Sequence, residues 1–259
     1  MIPGRWILRG FIVAASLLVA GFSHWASAGG KPELVVAISL DIPPYVMDNA
    51  ASGLEVDIVR RALGNYSLRL VQLPYDELQT AVPRKRADVS VGVQAGDNSA
   101  YYSADFINFV NYAISRKADG LRIRSVSDLR DHKVLTWENA YLELGSKFEA
   151  MFSPQSPQRK NYIEVADQKE QVRRFWESKD LVIVIDRSIF VYFSEKMGHD
   201  LDEVRFHAIF PPVTNFKVGF RDITVRNRFN DVLADMCRNG EYAALLRRYG
   251  VVAKKTVCE

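Results

Sequence analysis

Apolar and polar positions follow two periods along this chain, and the two take turns. Residues 33–39 hold a short apolar run, ELVVAIS, the pattern of a buried strand. Asp41-Ile42-Pro43-Pro44-Tyr45 closes it, because two prolines cannot donate to a ladder and force a turn. Leu54, Ile58, Val59, Ala62 and Leu63 then recur at helical spacing, with Gly64 placed as the C′ residue. Residues 67–73 alternate as a strand, so the order strand–helix–strand predicts parallel pairing. A short helix is expected over 75–85, ending or kinking at Pro83, followed by strands at 88–93 and 107–115. A polar stretch over 115–120 marks a crossing, and there the pattern restarts.

The second half predicts a capped turn at 127–130, a strand at 133–137 and a helix from Asn139 through Leu144. Residues 153–160, rich in Pro, Ser and Gln, form a loop. Asp167-x-x-Glu170 reads as a capping box opening a helix that turns Val172, Phe175 and Trp176 inward. Residues 181–185, LVIVI, are uniformly apolar, as a strand covered on both faces should be. A helix over 188–197 and a strand over 204–209 follow, and Phe210-Pro211-Pro212 marks a return crossing. A strand over 216–220 and two helices, 227–238 and 241–249, end the pattern, punctuated by Gly240 and Gly250. The expected organisation is α/β with two lobes, 33–114 with 213–259 and 118–208, joined by a two-segment hinge.

Composition narrows the function classes. The chain has 259 residues, 48% hydrophobic and 25% charged, which is ordinary for a globular protein with ample core. Arg5 and Arg9, an apolar run from Phe11 to Phe22 and Ala26-Ser27-Ala28 make the pattern of a cleavable signal peptide over 1–28. The alternative, a membrane anchor, needs about 20 apolar residues, and this run is shorter. Loss of that segment lowers the formal charge from +3 to +1, so nothing general attracts nucleic acid or acidic membrane. Cys237 and Cys258, an even pair near one end of an exported chain, predict a disulfide.

Enzyme chemistry finds little support, and no catalytic residue, metal or cofactor is expected. His132, His199 and His207 show neither metal-ligand spacing nor a partnered nucleophile. Gly92-Val93-Gln94-Ala95-Gly96 lacks the Lys-Ser/Thr of a phosphate loop.

Open parallel sheets hold ligands outside the carboxyl ends of their strands. That rule selects Asp41–Tyr45, Gln94–Asn98, Trp137–Asn139 and Asp186–Arg187. Asp186, directly after LVIVI, suits a ligand ammonium, the alternatives being a pair with Arg187 or a cap for the next helix. Gln94, Asp97 and Asn98 could bond a ligand or satisfy turn backbone. Asn139 is a natural N-cap, and with Glu138 it precedes amides that could meet an anion.

Several fragments, in order, resemble family 3 extracytoplasmic solute-binding proteins, which capture ligands for ABC importers. They are Pro43-Pro44-Tyr45, Gly53-Leu54-Glu55-Val56-Asp57 and Tyr75-Asp76-x-Leu78 followed by Asp88-Val89-x-Val91-x-Val93 and Phe106. Ser127 to Val134 matches a further lead-in, with Asp131 in place of its Gly. Phe229-Asn230-x-x-Leu233, Asn239-Gly240-x-Tyr242 and Tyr249-Gly250 match the terminal pattern, so the likeness spans Leu34 to Val251. The resemblance implies the type II periplasmic binding fold, a periplasmic location, a monomer and a membrane permease partner. It also implies that Asp186 holds an α-ammonium, that Tyr75 and Trp137 touch the ligand's side chain and that Tyr45 packs beneath the site. The family's Arg for the α-carboxylate falls at Ala100, and Ala cannot replace a bidentate Arg.

The expected ligand set is Tyr75, Gln94, Asp97, Trp137, Glu138, Asn139 and Asp186. Without the Arg, and unless Arg187 or Arg221 enters the cleft, ordinary amino acids should bind poorly. A cationic, zwitterionic or neutral polar solute fits better. The expected function is solute capture for an ABC-type importer. The alternatives are a periplasmic sensor or accessory protein of a redox system, and a dehydratase-like enzyme on the same scaffold.

Overall fold

The computed structural model describes residue 1 and residues 30–96, 99–251 and 255–259. The expected signal segment, Met1 apart, lies outside these, as do Asp97 and Asn98. Among the described residues no helix is long and apolar enough to cross a membrane.

The first sheet begins with β1 (Glu33–Ser39), flanked in parallel by β2 (Ser67–Leu73) and β3 (Val89–Val93). The last strand in sequence, β11 (Thr214–Phe220), joins β3 antiparallel and carries β4 (Tyr101–Tyr102) and β5 (Ile107–Phe109) on its far side. The second sheet has the order β10 (Val204–His207), β6 (Asn111–Arg116), β9 (Leu181–Asp186), β7 (Lys133–Trp137), β8 (Tyr162–Val165). β9 sits at its centre, buried along its whole length, as its unbroken apolar run predicts.

Helices cover these sheets. α1 (Leu54–Ala62) packs on α6 (Ile223–Arg238) and α7 (Glu241–Arg248), while α2 (Tyr75–Ala81) lies on β3 and β1. α2 stops before Pro83, as the missing donor requires. In the second lobe α4 (Gln168–Glu177) and α5 (Arg187–Lys196) cover β9, and α3 (Ser146–Phe152) buries Phe148 and Phe152. Cys237, at the end of α6, is joined to Cys258 with Cα atoms 5.3 Å apart.

Four expectations need correction. The run 107–115 is not one strand. It breaks at Val110, so β5 belongs to the first sheet and β6 to the second, and the chain changes sheets before the polar stretch 115–120. Val110 can leave both ladders because its N–H donates to Asp186 at 2.8 Å and its carbonyl accepts from Arg187 N–H at 3.0 Å. The helix expected over 139–144 is a single 3-10 turn, Ala140–Leu142. Asn139 takes a left-handed φ of 58° and makes no side-chain cap. Gly64 follows α1 without a left-handed φ. Glu170 does not complete a capping box: Asp167 caps α4 alone, and Glu170 pairs with Arg173 and Arg174.

Candidate functional site

The start of α1 is fixed by local geometry. Gly53 has φ 125°, and a Cβ there would lie 2.3 Å from the Tyr45 carbonyl oxygen. The same approach lets Leu54 N–H donate to Pro44 and Glu55 N–H to Tyr45, both at 3.0 Å. Helix and Pro-Pro-Tyr turn are thus stapled together, and the first turn of α1 points Glu55 inward. Glu55 is 1% exposed, and its Oε1 has no hydrogen-bond partner within the protein. Burial alone pushes its carboxyl up to about 8.

Glu55 lines a cavity of about 70 Å³ walled by both lobes. Ser39, Phe109 and Phe216 come from the first sheet; Asn111, Trp137, Glu138, Gln168 and Asp186 come from the second lobe. A wider cleft of about 730 Å³ adjoins it through Tyr75 and is lined by Gln79, Gln94, Asn139, Glu143 and Asn215 among others.

Of the residues expected from sequence, Tyr75, Trp137, Glu138 and Asp186 meet at the cavity, while Gln94 and Asn139 face the cleft. Asp97 lies outside the described residues. Gln94 donates through its side-chain amide to the Asn215 carbonyl at 2.9 Å. Asp186 is fully engaged by the protein. Its Oδ1 accepts from Tyr45 Oη at 3.2 Å, Ser188 N–H at 2.8 Å and Ile189 N–H at 3.2 Å, and Oδ2 accepts from Val110 N–H. Burial outweighs these bonds and lifts its carboxyl to about 6.

Tyr75 donates its hydroxyl to Glu143 and accepts from Gln79 at 2.8 Å. Burial raises the Glu143 carboxyl to about 7, with the Tyr75 hydroxyl bond and the nearby Trp137 lowering it in part. One of the two aromatic side chains expected to face a ligand, Tyr75, is thus bonded to a carboxylate of the second lobe. Tyr45 is buried and packs on Phe109 with ring centroids 4.4 Å apart.

Among the described residues no Lys or Arg lines either space. Arg187 lies over the Phe206 ring at 5.6 Å and Arg221 pairs with Asp88, and neither lines the cavity or the cleft. His207 bonds Ser115 at 2.9 Å and His199 stacks on Trp176 with centroids 4.1 Å apart, and neither lines the cavity. Among the described residues no group of three His, Cys, Asp or Glu could hold a metal ion.

Sequence reasoning missed Ser39, Glu55, Glu143 and Gln168. For Glu55 a signal existed. With Ile58, Val59 and Ala62 it occupies the i, i+3, i+4, i+7 stripe of α1, a charged residue on a buried face.

No protein-family model and no curated protein matches the chain. Solved structures of the same fold do. A histidine kinase sensor domain with similarity to periplasmic binding proteins superposes with a TM-score of 0.71 at 17% identity, covering 87% of this chain and 99% of that one. The substrate-binding protein of an ABC uptake transporter from Streptococcus pneumoniae, with bound histidine, gives 0.70 at 16% identity, covering 86% and 95%. A mutant of ArgBP from T. maritima gives 0.69 at 17% identity, covering 86% and 96%. The chain therefore has the two-lobed α/β type II periplasmic binding fold expected from its sequence.

Proposed function

We propose that this protein binds a small polar solute between its lobes and passes it to a membrane permease. The observation that carries this reading is the cavity itself, enclosed by strand ends of both lobes and lined by residues that carry buried oxygens without partners. Such oxygens are costly unless something pairs them, so a solute that does so stabilises the closed form. The lobes of this reading are 33–110 with 213–259, and 111–208, and the segment 1–28 directs export to the periplasm. Two proteins of like fold carry histidine or the ArgBP name, which fits a nitrogen-bearing solute. The site residues are Tyr75, Trp137 and Glu138 on the walls, with Gln94 and Asn139 at the entrance. The reading contains no catalytic step.

A second reading, solute sensing for a membrane partner, is favoured by the likeness to a histidine kinase sensor domain. Both require the same ligand step. Thermal melts of the purified protein against a metabolite library test it, since a ligand at 100 times its Kd stabilises by about 2.7 kcal/mol. Failure of every solute to shift the melt would sink both readings. Pull-down of a permease or of a sensor kinase from membranes then separates them.

A further inference from the structure

We infer that the cavity is built for a primary ammonium group, with Glu55 as its counter-charge; this rests on the solute-binding reading and narrows it to aliphatic amines. Four side-chain oxygens of cavity-lining residues are buried without a hydrogen-bond partner: Ser39 Oγ, Glu55 Oε1, Glu138 Oε2 and Gln168 Oε1. They come from four segments, the end of β1, the start of α1, the loop after β7 and the start of α4. The amide oxygen and the two carboxylate oxygens, once ionised, only accept, and an ammonium supplies three donors and no acceptor. An anion would meet these acceptors with no Lys or Arg among the described wall residues to offset them.

Asp186, the acid expected to hold an ammonium, already accepts from four protein donors. Glu55 accepts from none through Oε1. Phe109, Phe216, Val91 and Ile42 add apolar wall that suits an alkyl chain. A metal ion is disfavoured because no three acidic or His/Cys ligands gather among the described residues. A guanidinium prefers a planar bidentate partner, whereas the four residues that carry these oxygens line the space from separate elements.

The groups facing Glu55 are Tyr45 and Tyr242 from its own lobe and Glu138 and Asp186 across the cavity, with Tyr75 beside them. None of these groups is cationic. Burial keeps the Glu55 carboxyl protonated at neutral pH, and pairing with an ammonium requires the carboxylate. Uptake of the cation therefore releases a proton to solvent.

The test uses propylammonium and 1,4-diaminobutane, with propionate, acetamide and methylguanidinium as controls. Calorimetry at pH 7 runs in phosphate and in a sulfonate buffer, and melts follow the same series. The expected result is binding of the ammonium probes alone, with an apparent enthalpy that differs between buffers by the protons released times the difference between the buffers' own protonation enthalpies. Glu55→Gln should weaken the probes at least tenfold and abolish the buffer dependence. Glu138→Gln should weaken them less and leave the buffer dependence intact. Equal affinity in wild type and Glu55→Gln overturns the inference. So does binding of propionate or methylguanidinium in preference to the amines, with the solute-binding reading left standing. If neither this series nor the metabolite library shifts the melt, both fall together.

Discussion

Two buried carboxylates divide the work at the residue scale. Glu55 binds protons more tightly in the folded chain than in the unfolded one, so its burial makes stability fall as pH rises from about 4.5 toward about 8. Glu55→Gln removes that fall. We expect the ligand-free variant to match wild type near pH 4 and to exceed it by roughly 3 kcal/mol at pH 7, since each tenfold gain in proton affinity on folding corresponds to about 1.4 kcal/mol. Denaturant melts at four pH values check this, and a constant difference across pH would contradict it. Asp186, whose carboxyl burial also raises, differs in being held by the protein, since its oxygens join a helix cap, a tyrosine and the Val110 amide at the crossing. Asp186→Ala should cost about 3 kcal/mol in the absence of any ligand, by the loss of a cap and an orphaned buried N–H. An unchanged denaturation midpoint would remove this assignment. Asp186 was legible because the strand-end rule singles out any residue that closes a buried strand. Glu55 was not, because a charged residue inside an apolar stripe is recognised only once the stripe's partner surface is known.

At the scale of elements, the parallel β1–β2–β3 unit and the buried β9 could be read from local pattern alone. The split of 107–115 could not. Both halves are apolar and strand-forming, and the break depends on Asp186 reaching Val110 across 76 residues of sequence. β8 also escaped notice, because Tyr162-Ile163-Glu164-Val165 follows a polar loop and exposes Ile163. The terminal elements carry their own test. Asn108 donates to the Lys255 carbonyl at 2.8 Å, so this bond ties the tail to β5 while the disulfide ties it to α6. Reduction, or Cys237→Ser with Cys258→Ser, should lower stability by about 3 kcal/mol in the chain-entropy model. Calorimetric melts with and without reductant read it directly, and free thiols in the unreduced, unfolded protein would show the bridge does not form.

For the whole molecule, two tyrosines of the first lobe donate to carboxylates of the second, Tyr45 to Asp186 and Tyr75 to Glu143. Tyr75→Phe keeps the ring against Phe216 and removes one of these donors. The closed population should fall, the radius of gyration from solution scattering should rise, and ligand affinity should drop in proportion to the lost closed fraction. A variant that binds as tightly as wild type would show that this bond does not help closure. The walls also set selectivity. Lysine brings a carboxylate that no Lys or Arg among the described wall residues receives, so 1,5-diaminopentane should bind at least tenfold tighter than lysine by calorimetry. Equal affinities would mean that a cation outside the cavity walls reaches the ligand.

The two crossing segments are themselves tied. Asn111, just past the outward crossing, donates through Nδ2 to Thr214 Oγ1 on the return at 3.0 Å. Two strands of chain so fastened behave as one axle, and the lobes on it resemble the jaws of a nutcracker. The four oxygens are shared between those jaws, Ser39 and Glu55 on one, Glu138 and Gln168 on the other. Neither jaw alone carries the full set. On the proposed reading, swinging open would leave a bound ammonium with only half of that set, so opening and release would be one motion.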